Sequence, residues 1–158
     1  MTLMAMELEK NGISPRDGID LYFSNKAKKD GKNTGGLEDI HKHIELVSSL
    51  EEDLDDSIIE SFIQELEELQ VIMDGLIKSW RAGDEARIDE YLSDYMRKEF
   101  PKLYKRLITD RNRDWVPHLE TLIDSGKRTL VIVGVGHLVG EESVISLLKS
   151  RGYKIKKM

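Results

Sequence analysis

The stretch TLVIVGVGHLVGEESVISLLKS, residues 129–150, decides the fold class that we predict for this chain. An apolar, β-branched run bounded by glycine is typical of a strand covered on both faces, and it occupies residues 128–134. Residues 141–150 have helical spacing, Gly152 is suited to the end of that helix, and residues 153–157 alternate like an edge strand. Strand, helix and strand together predict a βαβ unit with parallel strands and a right-handed crossover.

The chain that precedes this unit is predicted to be helical. Its strongest signal is one long amphipathic helix from Leu54 to Trp80, with apolar residues every three or four positions and no proline. Pro117 is predicted to kink or restart a later helix near residues 113–115. Further helices are predicted to begin at Ser14–Pro15, Leu37, Asp84 and Pro101.

We therefore predict a single, mostly helical α/β domain over residues 1–158. It has a helical region over about 1–126 and a βαβ unit over about 128–157, with a small, largely parallel sheet.

Composition excludes several classes of protein. A net charge of -6 argues against a nucleic-acid partner. Because the chain has no cysteine, disulfides, zinc fingers and thiol nucleophiles are excluded, and a metal would need His, Asp or Glu ligands. No apolar run approaches the roughly 18 residues of a membrane span, and the first ten residues do not resemble a signal peptide. The cellular location is not indicated.

The turn after the first predicted strand invites a comparison with nucleotide-binding loops. Gly134, Gly136 and Gly140 imitate a loosened dinucleotide fingerprint. The acidic residue that binds a ribose should follow the second strand, but the sequence stops there. We therefore expect no nucleotide cofactor.

Two residues have spacing that points to a site. His137 follows the first predicted strand, where open α/β sheets place their sites, and it could act as a ligand or general base. It could equally cap or pack against the next helix. Arg111 lies in the apolar stripe of a helix, so its guanidinium should either reach solvent or meet a carboxylate, for which Glu38 is a candidate. His41, His43 and His118 have the spacing of surface or interface residues.

The chain resembles the TraB/GumN family of the EreA/ChaN-like superfamily, whose animal relatives include the Tiki membrane proteases. The resemblance runs from about residue 13 to residue 155 and rests on the segments GLE, LITDRN and GVGHLVGEESVISLLKSRGYKI. It implies a function in which two G-x-x-H motifs, an acid and an Arg-Asn pair form the site of a divalent-metal-dependent peptidase. Transferred to this sequence, the late motif is Gly134 and His137, the pair is Arg111 and Asn112, and the acid is Glu38. His137 would be the metal ligand. The family often has Gln where this chain has His43.

The early G-x-x-H motif has no counterpart in this sequence. The resemblance therefore implies the C-terminal portion of the family's fold, without its N-terminal half, and a chain that is inactive in isolation. A second copy could complete the fold as a homo-oligomer. A peptide or protein would be the substrate of an active parent.

Two functional hypotheses follow. The leading one is part of a metal-dependent hydrolase in which His137, Arg111, Asn112 and Glu38 line one pocket. The alternative is a non-catalytic helical interaction or oligomerisation module, with Arg111 as a structural ion-pair residue and Ile59, Ile63 and Ile77 on its contact face.

Overall fold

A computed structural model of the chain describes residues 3–10, 12–49 and 56–158, which are mostly helical and contain no strand. The α-helices are α1 (Leu3–Lys10), α2 (Ile19–Lys29), α3 (Ile40–Ser49), α4 (Asp56–Glu67), α5 (Leu69–Ala82), α6 (Glu85–Asp89), α7 (Tyr95–Glu99), α8 (Pro101–Tyr104), α9 (Asp110–Asp124) and α10 (Val144–Ser150). Wider π-helical turns, Glu90–Asp94 and Lys105–Thr109, join α6 to α7 and α8 to α9. None of the helices in these ranges is long and apolar enough to cross a membrane.

The predicted βαβ unit is wrong. Between residues 56 and 158 no strand forms, and neither residues 128–133 nor residues 154–157 make a backbone hydrogen bond to another described segment. The apolar side chains are nevertheless used, because Val133 and Ile155 pack against the core of α9 and α10. Side-chain burial satisfies the hydrophobic pattern, whereas a strand also needs a backbone partner.

The helix α10 that would have crossed between the strands does form. It begins at Val144 rather than at Glu141, because Ser143 is the N-cap and its hydroxyl accepts a hydrogen bond from the Ser146 amide at 3.1 Å. At its end Gly152 has φ of +92°, and the Tyr153 amide donates to the Leu148 carbonyl at 3.1 Å. This is the Schellman arrangement, which agrees with the predicted end of the helix.

The predicted long helix is divided. Its second half, α5, begins at Leu69, and Glu68 has φ of -93° and ψ of 0°, outside regular helical values. Leu54 lies outside the described residues, so the predicted start of this helix is not described. Gly83 ends α5 with φ of +67°, and Asp84 caps α6 by accepting from the Arg87 amide at 3.1 Å, as predicted.

Of the two helices predicted to begin at a proline, the one at Pro101 is confirmed and the one at Pro15 is not. Pro101 is the first residue of α8, as predicted. Pro15 begins only a single 3₁₀ turn, and α2 starts later, at Ile19. Helix α9 runs through Pro117 without a break, so the predicted restart there is wrong, and the irregular turn lies earlier, at Lys105–Thr109.

The main core lies between α9 and α10. Its buried members are Trp115, Val116, Leu119, Val144 and Leu148. Leu37, from the loop before α3, is partly buried against this core. The loop residue next to it, Glu38, is thereby brought to the side of α9.

Candidate functional site

Helix α9 presents two adjacent polar residues to the interior. Arg111 and Asn112 follow the π-helical turn Lys105–Thr109, and the Arg111 Nη1 donates to the Leu107 carbonyl of that turn at 3.2 Å. Asn112 is fully buried. Such wide turns are often found at functional sites, and this one directly precedes the residues that the family motif marks.

Arg111 and Glu38 form a two-bond ion pair. The Arg111 Nε donates to Glu38 Oε2 at 3.1 Å, and its Nη2 donates to Glu38 Oε1 at 2.8 Å. The guanidinium carbon also lies 4.9 Å from the centre of the Trp115 ring. The prediction that Arg111 meets a carboxylate, and that Glu38 is its partner, is confirmed. Two parallel hydrogen bonds fix the orientation of the guanidinium as well as its position.

Glu38 is saturated with donors. Besides the two bonds from Arg111, His43 Nδ1 lies 3.0 Å from Oε1 and Trp115 Nε1 donates to Oε2 at 3.3 Å. A carboxylate has about four lone-pair sites, so all of them are engaged. Burial alone would raise the pKa of Glu38, but the hydrogen bonds and charge of Arg111, helped by His43 and Trp115, outweigh it and lower the pKa. Glu38 is therefore held as the anion.

His137 is held in one tautomer by Asn112. Its Nδ1 lies 2.7 Å from Asn112 Oδ1, and Asn112 Nδ2 donates to the Glu142 carbonyl at 2.8 Å. Since the amide nitrogen faces a carbonyl, the amide oxygen must be the acceptor for His137. The proton therefore lies on Nδ1. The unprotonated Nε2 faces Arg111, whose Nη1 lies 3.4 Å away.

Burial keeps His137 neutral. Only 7% of the residue is exposed, and its ring centre lies 4.4 Å from that of Trp115. Burial first, and then the neighbouring charge of Arg111, lower the pKa of His137 from 6.5 to about 4, against a smaller opposing effect of Glu38. At neutral pH the imidazole therefore accepts a hydrogen bond at Nε2 and carries no charge.

Two residues that the sequence did not single out complete the network. Glu142 anchors Asn112 through its main chain, and its carboxylate accepts from Thr109 Oγ1 at 2.8 Å and from Arg113 Nη2 at 3.2 Å. Trp115 supplies both the stacked ring and a donor to Glu38. Trp115 lies four residues after Arg111, so helical spacing places the two on one face, but nothing in the sequence pointed to Glu142.

The ion pair forms part of the lining of an open polar cavity of about 490 Å³. The ionisable side chains in its wall are those of Glu38, Asp39, Lys42, Arg106, Asp110, Arg111, Asp114 and His118. His137 and Asn112 do not line this cavity and lie behind Arg111. The structure thus brings the four motif residues together, with two of them facing the cavity and two supporting them.

A divalent cation does not fit this arrangement. The Nε2 of His137 faces the positively charged guanidinium of Arg111, and every lone pair of Glu38 already has a donor. A metal bound to either residue would have to displace that guanidinium first. Among the residues that the structure describes, no group of three or more His, Cys, Asp or Glu side chains could hold a metal.

The glycines of the turn before α10 differ in backbone conformation. Gly134 has an ordinary φ of -58°, and it is Gly140 that takes a positive φ, of +83°. His137 ends a 3₁₀ turn, Val135–His137, so the direction of its ring is set by that turn and by Asn112.

Together these features define a helical domain with a fixed Arg-Glu ion pair on the wall of a ligand-sized polar cavity. The chain belongs to the TraB/PrgY/gumN family, whose family model matches residues 1–157. The resemblance seen in the sequence is thereby confirmed at the level of the family. No curated protein and no solved structure matches the chain.

Proposed function

We propose that the chain provides part of a hydrolase site of the peptidase type, in which Arg111 binds a carbonyl or carboxylate oxygen of a peptide. The observation that supports this proposal is a guanidinium fixed by Glu38, the Leu107 carbonyl and His137 beside an open polar cavity. Four of its five N–H groups are used in these bonds. The fifth, on Nη2, has no acceptor among the described residues, and in this proposal it donates to the ligand in the cavity that Arg111 lines.

A donor that is fixed before the substrate arrives can stabilise negative charge on a carbonyl oxygen without reorganising. Glu38, His137 and Asn112 are positioning residues in this proposal, because each acts through Arg111 or through another member of the network. Hydrolysis also needs a group that accepts a proton from water. Glu38 is saturated and His137 lies behind Arg111 with a pKa of about 4, so we expect the chain alone to cleave peptides slowly or not at all.

Ligand binding tests the proposal without requiring turnover. An N-acetylated dipeptide with a free carboxylate would be titrated into the ¹⁵N-labelled chain, with the Arg111 Nε–H signal as the readout. We expect a saturable shift. Arg111→Lys should weaken binding by about tenfold or more, since lysine cannot keep the two-bond geometry. Arg81→Lys, at an exposed arginine of α5, is the matched control, and the absence of any saturable shift would contradict the proposal.

The metal binding that the family resemblance implies has a test of its own. Calorimetric titration with Mn²⁺ should show no binding that depends on His137 while Arg111 is in place. Arg111→Ala frees both His137 Nε2 and Glu38, so this variant should gain binding that His137→Gln then removes. Binding by the wild-type chain that His137→Gln abolishes would show that the guanidinium gives way to a metal.

The second candidate is a non-catalytic helical interaction module. It is favoured by the exposed apolar face of α3, formed by Ile40, Ile44 and Val47. Ile63 and Ile77 of the predicted contact face are exposed as well, whereas the side chain of Ile59 lies outside the described residues. If the chain is such a module, Arg111→Lys should lower the free energy of unfolding, because it weakens the ion pair with Glu38. The peptide titration should then give no saturable shift with the wild-type chain or with any variant.

A further inference from the structure

The buried hydroxyl of Thr109 bonds to another segment of the chain instead of to its own helix. A threonine inside a helix often donates to the carbonyl one turn back, as Thr121 does to the Pro117 carbonyl at 3.0 Å. Thr109 ends the π-helical turn Lys105–Thr109, is only 3% exposed, and donates to the carboxylate of Glu142 at 2.8 Å. A buried hydroxyl is costly to leave without a partner, so this bond ties the turn to the segment before α10.

Glu142 is therefore held at two points that lie one helical turn apart. Its side chain accepts from Thr109, and its main-chain carbonyl accepts from Asn112 Nδ2 at 2.8 Å. Residues 109 and 112 are three positions apart, so they lie on one face of the helix and reach the same residue. The two bonds together fix the orientation of the Glu142 carbonyl, whereas one bond alone would leave that peptide group free to turn.

The orientation of this carbonyl determines which atom Asn112 presents to His137. Since Asn112 Nδ2 donates to the carbonyl, Oδ1 accepts from His137 Nδ1, and the unprotonated Nε2 of the ring then faces Arg111. We propose that Thr109 is a positioning residue for Arg111, acting through this chain of hydrogen bonds. The role of Thr109 rests on the proposed function only because Arg111 is the group that meets the ligand there.

Loss of the Thr109 hydroxyl would act on Arg111 through the amide of Asn112. Once Glu142 has lost one of its two anchors, its carbonyl can move away and the amide can turn over. The inverted amide directs an N–H at His137, so the ring carries its proton on Nε2 and points it at the guanidinium. Because a guanidinium has donors and no acceptor, this arrangement is repulsive and loosens Arg111.

A second contact to the same carboxylate provides a matched control. Arg113 Nη2 donates to Glu142 Oε1 at 3.2 Å, but the Arg113 side chain is 59% exposed. An ion pair in such an exposed place contributes little, because solvent screens it. The bond from the buried Thr109 should therefore position Glu142, and the ion pair with Arg113 should not.

Thr109→Val tests the role, since it removes the hydroxyl and keeps the shape of the side chain. Exchange of the Arg111 Nε–H with water, measured by ¹⁵N NMR at pH 7 without any peptide, should become about fivefold faster, as expected for the loss of one ordinary hydrogen bond. Long-range ¹⁵N spectra should also show a second tautomer of His137, protonated on Nε2. Thr109→Ser keeps the hydroxyl and should retain the wild-type exchange rate, and Arg113→Gln should leave both readouts unchanged.

Glu142→Ala removes the acceptor instead of the donor, at a side chain that is 41% exposed and does not fill the core. It should speed the exchange by the same factor, and the double variant with Thr109→Val should be no faster than either single variant, because both remove the same bond. Circular dichroism checks that each variant is folded.

An unchanged exchange rate in Thr109→Val or Glu142→Ala would overturn the proposal. So would Thr109→Ser exchanging as fast as Thr109→Val, which would assign the effect to packing, or Arg113→Gln doing so, which would assign it to the ion pair. Because no peptide is present, these results do not depend on whether Arg111 binds one. The peptide titration described above can therefore fail while the role of Thr109 holds, and the reverse is also possible.

Discussion

At the scale of single residues, His137 shows how the surroundings select one chemistry from several. The sequence left it as a ligand, a general base or a packed side chain. In the fold it is buried, its Nδ1 proton is fixed by Asn112, and its pKa lies at about 4. It therefore serves as a neutral acceptor that helps to hold Arg111.

This burial predicts a pH dependence of stability. The pKa of His137 is 6.5 in the unfolded chain and about 4 in the fold, so between these values the unfolded state binds the additional proton. The free energy of unfolding should therefore fall as pH is lowered from about 6.5 through 4, with a total loss of roughly 3 kcal/mol from this group. Urea unfolding at a series of pH values measures it.

His137→Gln should remove this part of the pH dependence, although it lowers stability at pH 7. His118→Gln is the control, because His118 is exposed on the same helix. A pH dependence that is equal in the wild-type chain and in His137→Gln would show that His137 does not titrate as proposed.

Gly140 is a second residue with a specific requirement. It has φ of +83°, and a Cβ there would lie 2.6 Å from Asp89 Oδ1. The Asp89 carboxylate cannot move freely, since Arg97 Nη2 donates to both of its oxygens, at 2.7 and 2.9 Å. Gly140→Ala should therefore cost about 3 kcal/mol of stability, from strain and clash together.

Gly152→Ala separates these two causes. Gly152 also has a positive φ, of +92°, but a Cβ there would meet nothing within 4 Å. Its replacement should cost only about 1 kcal/mol, from strain alone. Equal losses for the two variants in thermal unfolding would contradict the contact between Gly140 and Asp89.

The residues of the site were only partly predictable. The ion pair of Arg111 and Glu38 followed from one physical rule, that a guanidinium in an apolar stripe needs a carboxylate. Glu142 could not be found in this way, because it acts mainly through its backbone carbonyl, which every residue has. Sequence patterns identify unusual side chains, but they do not identify which main-chain atoms a fold will bring nearby.

At the scale of helices and strands, helix ends were easier to predict than strands. Asp84, Pro101 and Gly152 act at helix ends through contacts within a few residues, so local sequence determines them. The segment at residues 128–133 has the composition of a strand, but its backbone has no partner among the described residues. Pairing is non-local, so composition alone could not supply it.

Pro117 gives a prediction at this scale. It lies in the interior of α9 on the exposed side, where it removes one backbone donor from the helix. Pro117→Ala should restore that hydrogen bond and raise the free energy of unfolding by about 1 to 3 kcal/mol. Pro101→Ala is the control, because proline suits the first position of α8 and its loss should bring no gain. Chemical denaturation compares the two, and a loss of stability in Pro117→Ala would show that α9 depends on its proline.

At the scale of the whole molecule, the residues that the structure describes are buried much more in the C-terminal part of the chain than in α2 and α3. Helices α2 and α3 contain no fully buried residue, whereas α9 buries Asn112, Trp115, Val116 and Leu119. We expect amide hydrogen exchange to be slowest in α9 and markedly faster in α2 and α3. Mass spectrometry of peptides from these helices would measure it, and equal protection throughout would contradict this distribution of the core.

The site depends on this same core. Helix α9 supplies Arg111 and Asn112, the turn before α10 supplies His137, and the loop before α3 supplies Glu38. Leu37 packs against the core and places Glu38 next to α9. Three separate segments of the chain thus form one unit that holds Arg111 in a fixed orientation.

The most direct test of this unit is long-range ¹⁵N NMR of the His137 imidazole over a pH titration. We predict a proton on Nδ1, an unprotonated Nε2 at pH 7, and a pKa of about 4. A proton on Nε2 at pH 7, or titration near 6.5, would contradict the arrangement of Asn112, His137 and Arg111 described above.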